Sequence, residues 1–168
     1  MAPTIDSAAG LFEHHLKTML WVERKLSDEV LPELREMVHD PELKRGVEHH
    51  LAETKGHVRN LEQVFELINV KPEAVESEAL KGIRRDHDEG MKMLADDADA
   101  LGDLFHAGVI AKNEHVEIAA YRSLVEIAEH LGEDEIANLL RENLEEEESA
   151  LRTAEQARRK LLEEKISV

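Results

Sequence analysis

The sequence predicts an all-α protein: a four-helix bundle made of two antiparallel helical hairpins, joined by a long crossover that contains a short extra helix. Three observations lead to this fold class. Apolar residues recur at spacings of three and four along four long segments, which is typical of helices with one buried face. No segment shows the alternating pattern of a strand. Two of the connections are short and one is long, and short connections make neighbouring helices antiparallel.

Composition limits the classes of partner that we expect. The chain has 168 residues, no cysteine and a formal net charge of -17. Its length suits one domain over residues 1–168, with terminal tails at 1–6 and 164–168. The absence of cysteine excludes disulfides and thiolate metal sites. The negative charge repels phosphate backbones and anionic lipid, so we expect neither a nucleic-acid nor a membrane partner. The chain lacks a signal-peptide pattern and a long apolar run, which predicts a cytoplasmic protein.

The first predicted hairpin contains helices one and two. Asp6 or Ser7 suits the N-cap of helix one, and Glu23 is the one carboxylate in its seam, the row of inward positions. Asp40, in the turn "HDPELK", suits the N-cap of helix two, which we expect to extend to about Asn69. The seam of helix two is polar in its middle, with Glu53 beside it. It comprises Leu43, Val47, His50, Thr54, His57, Leu61, Val64 and Ile68.

The second predicted hairpin follows a crossover at residues 70–98. Pro72, Gly82 and Gly90 break the heptad pattern there, so we expect a short helix within a long crossover. Helix three then extends from about residue 99 to Leu131. Its seam comprises Ile110, Glu114, Glu117, Tyr121, Leu124 and Ala128.

The turn "HLGEDE" separates helix three from helix four. Gly132 suits a left-handed stop and Asp134 suits the next N-cap. We expect helix four to continue to about Glu163. Its predicted inward residues are Ile136, Leu139, Asn143, Glu146 and Ala150.

The two hairpins resemble each other and place four glutamates at one level. Glu23 precedes Glu53 by 30 positions, and Glu117 precedes Glu146 by 29. At a rise of about 1.5 Å per residue, each glutamate lies roughly 20 Å from its hairpin turn. This spacing predicts a cluster of four carboxylates halfway along the bundle.

A buried cluster of glutamates requires a positively charged partner. Burying an unpaired carboxylate is costly, and the neighbouring seam positions are apolar, His or Asn, which favours one or two divalent metal ions. Oxygen-rich ligands together with a histidine suit iron or manganese, and a carboxylate can bridge two ions. The sequence therefore predicts an iron or manganese site.

Four segments also resemble a known family. They are "LFEHHLKTMLWVERKL", "HLAETKGHVRNLEQVFE", "NEHVEIAAYRSL" and "LLRENLEEEESA". They are similar to the YciF/YciE-like bacterial stress-response proteins of the ferritin-like superfamily over residues 10–157, with "EHVEIAAY" the most specific part. The resemblance implies a ferritin-like bundle, a homodimer, a dinuclear iron or manganese site and a role in stress response. Carried over by position, it implies the metal ligands Glu23, Glu53, His57, Glu114, Glu117 and Glu146.

The implied ligand set departs from the general ferritin-like pattern, which has Glu-x-x-His on two helices. Glu53 and His57 are four apart, although this spacing still keeps them on one helix face. No histidine lies near Glu146. Either Glu114 replaces the missing histidine, or the site holds one metal or none. Glu147 is the alternative to Glu146 as the ligand from helix four.

We expect the other histidines to lie outside the set of ligands. His50 and His115 are predicted to orient ligands or to be exposed, and Tyr121 either packs in the core or hydrogen-bonds a ligand. The histidines predicted at the surface are His14, His15, His49, His87, His106 and His130.

Two functions are consistent with these features. The first is a metalloprotein in which reduced iron or manganese reacts with dioxygen or peroxide. The second is a non-catalytic stress protein that keeps the fold, binds metal weakly or not at all, and acts through dimerisation. For both we expect a small oligomer instead of a storage cage.

Overall fold

The computed structural model describes residues 4–95 and 98–165. Within these ranges it contains helices and no strand, which confirms the all-α class. The outer parts of the predicted tails lie outside the described residues. None of the described helices is long and apolar enough to cross a membrane. The helices are α1 (Ala8–Lys25), α2 (Leu31–Met37), α3 (Pro41–Leu67), α4 (Glu78–Met91), α5 (Asp99–His130) and α6 (Asp134–Lys165).

Both long helices of the first hairpin, α1 and α3, begin with a side-chain cap. The Ser7 hydroxyl accepts a hydrogen bond of 3.2 Å from a first-turn N–H of α1. Asp40 caps α3 by accepting 2.9 Å hydrogen bonds from the N–H groups of Glu42 and Leu43. Both caps satisfy backbone donors that the helix itself leaves unpaired. A π-helical segment at Leu26–Val30 joins α1 to α2, so the two follow each other without a break.

The crossover contains the predicted short helix, α4. Gly82 and Gly90, which break the heptad pattern, both lie within it. A Cβ atom added to Gly90 would overlap the ring of Phe105, whereas one added to Gly82 meets nothing within 4 Å. Gly90 therefore allows α4 to pack closely on α5.

The second hairpin turns at Gly132, whose φ of 78° is the predicted left-handed stop. Asp134 is the first residue of α6 instead of its N-cap. The carbonyl of Glu133 accepts the first helical hydrogen bond, from the N–H of Ala137 at 2.9 Å, so Glu133 occupies the N-cap position. The fourth helix continues to Lys165, two residues into the predicted C-terminal tail.

The predicted inward row of α6 is partly wrong. Leu139 is only partly buried and Glu146 is exposed, whereas the adjacent Leu140 and Glu147 have no exposed surface. Both rows follow helical spacing, and both pairs are chemically identical neighbours, so the sequence pattern fits either. Packing of α6 against α5 and α3 selects the second row. The apolar core on one side of the polar middle includes Leu16, Leu20, Leu61, Phe65, Leu124 and Leu140.

Candidate metal centre

Four side chains from three helices form the first group of candidate ligands. His50 lies on α3, Glu114 and Glu117 on α5, and Glu147 on α6, and all four are buried. Each offers one ligand atom, and these atoms all lie within 4.8 Å of one another. The Nε2 atom of His50 lies 3.3 Å from Oε1 of Glu114 and 3.8 Å from Oε2 of Glu147.

A second group lies beside the first and shares one residue with it. It comprises Glu23 of α1, His57 of α3 and Glu147 of α6, none of which has exposed surface. The Nδ1 atom of His57 lies 3.3 Å from Oε1 of Glu23 and 3.0 Å from Oε1 of Glu147. Glu147 therefore directs Oε1 toward one group and Oε2 toward the other. The two groups together are called the carboxylate–histidine cluster: Glu23, His50, His57, Glu114, Glu117 and Glu147.

Buried hydrogen bonds fix two carboxylates of the cluster. The Tyr121 hydroxyl donates to Oε1 of Glu23 and accepts a 3.0 Å hydrogen bond from Nδ2 of Asn143. Nδ2 of Asn113 donates to Oε2 of Glu117. Amide and hydroxyl donors of this kind hold a carboxylate in one orientation, as the supporting residues of metal sites do.

Most polar atoms of the cluster nevertheless lack hydrogen-bond partners among the described residues. Buried polar atoms in folded proteins are nearly always paired, so such a concentration requires an explanation. A set of carboxylate oxygens and imidazole nitrogens facing one small volume fits iron or manganese chemically. The atoms without a hydrogen bond are Oε2 of Glu23, both ring nitrogens of His50, Nδ1 of His57, Oε2 of Glu114, Oε1 of Glu117, and both carboxylate oxygens of Glu147. Two of them, Nδ1 of His57 and Oε1 of Glu147, lie 3.0 Å apart as an ion pair without hydrogen-bond geometry.

Burial and mutual repulsion raise the pKa of three carboxyl groups. For Glu114 and Glu117, burial raises the pKa well above 4.5, and the charge of Glu147 raises it further. Burial also raises the pKa of Glu23, although the charge of His57 offsets part of this effect. Without metal, the cluster therefore retains protons at a pH where exposed carboxyl groups have lost theirs.

His57 and Glu147 both favour their charged forms and form an ion pair. Burial alone lowers the pKa of His57, but the charge of Glu23 and the contact with Glu147 outweigh it and raise that pKa to about 11. Burial alone raises the pKa of Glu147, but the contact with His57 and the charge of His50 lower it to about 2. A protonated His57 thus compensates part of the negative charge when metal is absent.

The structure brings together four of the six predicted ligands, namely Glu23, His57, Glu114 and Glu117. The side chain of Glu146 is 48% exposed and reaches the cluster only through Nε2 of His57, at 2.9 Å. Its place is taken by Glu147.

Glu53 also lies outside the two groups. Its side chain is 15% exposed and lies 3.0 Å from His49 and 3.7 Å from Nδ1 of His50. His50, which was expected to orient a ligand or to be exposed, lies in the first group instead. The signal for His50 was its spacing, since it lies seven residues before His57 on the same face of α3.

One histidine predicted at the surface is buried elsewhere. His106 is 1% exposed, and its Nδ1 atom lies 3.1 Å from Nε2 of the partly buried His87. Burial and the charge of His87 lower the pKa of His106 to about 4. His106 is buried because α4 packs over this face of α5, which is a tertiary contact. His15 is also partly buried, whereas His14, His49, His115 and His130 are exposed.

The fold and the cluster define a ferritin-like helical bundle with carboxylates and histidines buried at its centre. The chain belongs to the family described as a domain of unknown function, DUF892, whose model matches residues 7–167.

Relatives confirm the resemblance to YciF-like stress proteins. The chain is 30% identical to Protein YciF of Escherichia coli K12 over 140 residues, which cover 83% of this chain and 82% of that protein. The crystal structure of the E. coli stress protein YciF superposes with a TM-score of 0.88 at 26% identity, covering 96% of this chain and 100% of YciF. YcfI of Rhodopseudomonas palustris, provisionally described as a structural protein, has a TM-score of 0.87 at 28% identity, covering 100% of this chain and 99% of YcfI.

Proposed function

We propose that this protein is a stress-response metalloprotein that binds two iron or manganese ions in the carboxylate–histidine cluster and reacts with dioxygen or peroxide. The observation that supports this function is the position of Glu147, which belongs to both ligand groups and has no hydrogen-bond partner for either oxygen among the described residues. A carboxylate shared by two groups of ligands is suited to serve two adjacent cations.

Each group of residues has a defined role in this proposal. His50, Glu114 and Glu117 would hold one ion, Glu23 and His57 would hold the other, and Glu147 would serve both. Bound iron or manganese would supply the redox chemistry that amino-acid side chains lack. His57 must release its proton to become a ligand, so metal binding competes with the ion pair that His57 forms in the metal-free protein.

The surrounding residues prepare the site for this role. The hydrogen bonds from Tyr121 to Glu23 and from Asn113 to Glu117 restrict the rotation of these two carboxylates. Because the ligand side chains are almost fully buried, bulk water is excluded, which strengthens their electrostatic attraction to a cation. Oxygen donors outnumber nitrogen donors, and this favours iron or manganese over softer metals.

The experiment compares two neighbouring glutamates. Elemental analysis of protein purified without chelator should find two iron or manganese ions per chain in the wild type. Glu147→Ala should lose this metal, whereas Glu146→Ala, whose side chain is 48% exposed, should keep most of it. Circular dichroism should show unchanged helix content in both variants. Full loading of the Glu147→Ala protein would reject the proposal.

One observation favours a second function, that of a non-catalytic stress protein that dimerises and binds metal weakly or not at all. A protonated His57 between Glu23 and Glu147 compensates buried charge without any ion. Metal-dependent consumption of dioxygen or peroxide separates the two functions, because only the first requires it. We propose a homodimer in both cases, and light scattering would test this assembly state.

A further inference from the structure

An apolar cavity of about 70 Å³ lies between α2, α4 and α5, next to the carboxylate–histidine cluster. Aliphatic side chains form most of its wall. Leu80 and Ile83 contribute from α4, and Val109 contributes from α5. At the inner end the wall includes Glu114, a member of the cluster that is only 1% exposed. The cavity beneath α4 therefore borders one residue of the candidate metal centre.

The outer end of the cavity has a different character. Arg84 of α4 and Glu33 of α2 line it, and Nη2 of Arg84 lies 2.7 Å from Oε2 of Glu33. Both side chains are at least 36% exposed, so this ion pair lies at the surface. The mostly aliphatic lining thus also includes this exposed ion pair, the buried carboxyl group of Glu114, and the polar residues His87, Asp88 and Asn113.

The π-helical segment Leu26–Val30 contributes to the same wall. Leu26 and Val30 both line the cavity, and the segment begins three residues after Glu23. A π-helical turn contains an extra residue, which rotates the following side chains relative to those before it, and such turns are frequent at functional sites. The irregular turn therefore follows a residue of the cluster in the sequence and itself forms part of the cavity wall.

The size and the lining of the cavity restrict what it can admit. Since one water molecule needs only about 10–15 Å³ of a volume measured in this way, the cavity has ample room for a diatomic molecule. Dioxygen has no hydrogen-bonding groups that need partners. Hydrogen peroxide has two O–H donors, and the aliphatic side chains that form most of the wall offer them no partners, so its passage is more costly than that of dioxygen.

We propose that this cavity leads dioxygen to the Glu114 side of the cluster, and that hydrogen peroxide does not use it. The inference rests on the proposed function and makes it more specific, since it names dioxygen as the oxidant that the fold admits by this route. Apart from Glu114, a candidate ligand, the residues of the wall have no role in the chemistry. They determine only which molecules reach the cluster.

The first test needs no metal. Crystals of the chelator-treated protein under xenon pressure should show xenon in the cavity, because xenon is an apolar probe that enters cavities of this kind. Val109→Phe should abolish this xenon site by filling the cavity. Val116→Phe is the matched control, because Val116 lies on the same helix, is 40% exposed and does not line the cavity. Absence of xenon from the wild-type cavity would overturn the proposal.

The second test compares two oxidants. With anaerobically loaded ferrous protein, Val109→Phe should slow oxidation by dioxygen by about tenfold or more and leave oxidation by hydrogen peroxide unchanged. Equal slowing with both oxidants would indicate a damaged site and would contradict the inference, as would an unchanged rate with dioxygen. If the wild type did not bind iron, both the proposed function and the delivery of dioxygen to a metal would be rejected. If the fully loaded Val109→Phe protein reacted with dioxygen at the wild-type rate, only the route through this cavity would be rejected.

Discussion

The Nδ1 atom of His57 on α3 lies 3.0 Å from Oε1 of Glu147 on α6, and neither side chain has exposed surface. The same nitrogen lies 3.3 Å from Oε1 of Glu23 on α1. One imidazole therefore contacts carboxylates from two other helices at the centre of the bundle. These contacts join three of the four long helices, so the cluster affects stability as well as chemistry.

Removal of His57 should destabilise the metal-free protein. His57→Ala leaves Glu23 and Glu147 buried without their positive partner, and breaking a buried ion pair in this way typically costs about 3–5 kcal/mol. Urea unfolding at pH 7 with chelator would measure the loss. His49→Ala is the control on the same helix, because His49 is largely exposed and should change the free energy of unfolding little. Equal effects of the two substitutions would show that the buried contacts of His57 do not stabilise the fold.

The metal-free protein should become less stable as pH rises from 5.5 to 8. The pKa values of Glu114 and Glu117 are raised well above 4.5 in the folded state. Above pH 4.5 the folded protein therefore keeps protons that the unfolded chain releases. The stability that this difference provides is lost as pH rises through the folded-state pKa values. The pKa of His57 is raised from 6.5 to about 11, so its contribution is complete below 6.5 and decreases above it. The lowered pKa of Glu147, about 2, causes a loss only in acid, as pH falls from 4.5.

Unfolding free energies at several pH values in chelator would measure this slope. The net charge of -17 could produce a similar trend through general repulsion, so the control is Glu117→Gln, which removes one of the groups responsible. The variant should have a shallower slope than the wild type. An identical slope would assign the trend to overall charge instead of the cluster.

Metal should reverse this pH dependence. Iron or manganese binds the deprotonated carboxylates and neutral imidazoles, so its stabilising effect should grow as pH rises toward neutrality. A free metal concentration of 100 times Kd should add about 2.7 kcal/mol to the free energy of unfolding. Thermal melts with chelator and with anaerobic ferrous iron or manganese, at pH 5.5 and 7.5, would measure the gain. The Glu147→Ala protein should show no gain, and an equal gain in this variant would place the metal elsewhere.

Two glycines of α4 should respond oppositely to alanine. A Cβ atom at Gly82 meets nothing within 4 Å, so Gly82→Ala should raise the free energy of unfolding by up to about 1 kcal/mol through higher helix propensity. A Cβ atom at Gly90 would overlap the ring of Phe105, so Gly90→Ala should lower it by about 1 kcal/mol, because α4 must move away from α5. Urea unfolding of the pair would test this, and equal stabilisation by both would mean that Phe105 moves at no cost.

Most of the helices could be predicted because their signals are local. Ser7 and Asp40 cap the helices for which they were proposed, and Gly132 adopts the left-handed stop. Each of these signals depends on a few adjacent residues and on backbone groups within one turn, so no distant contact is needed to interpret it. The short crossover helix α4 is also present as predicted, although Gly82 and Gly90 weaken a helix in isolation. Packing of α4 on α5 stabilises it.

The composition of the site could be predicted in part. Glu23, His57, Glu114 and Glu117 lie on the predicted inward faces, because the apolar residues around them define these faces by helical spacing alone. Burial of His106 could not be predicted, since it depends on where the crossover helix lies. The place of His50 in the cluster depends in the same way on how closely α3, α5 and α6 approach.

The sequence by itself determined that the chain forms long amphipathic helices and that carboxylates and histidines lie in the middle of their inward faces. Only the tertiary structure decided that Glu147 and not Glu146 completes the cluster. On α6, Leu139 and Leu140 are the same residue type, as are Glu146 and Glu147, so helical spacing fits either inward row. Adjacent residues point about 100° apart around a helix, and the choice between them depends on where α3 and α5 pack against α6.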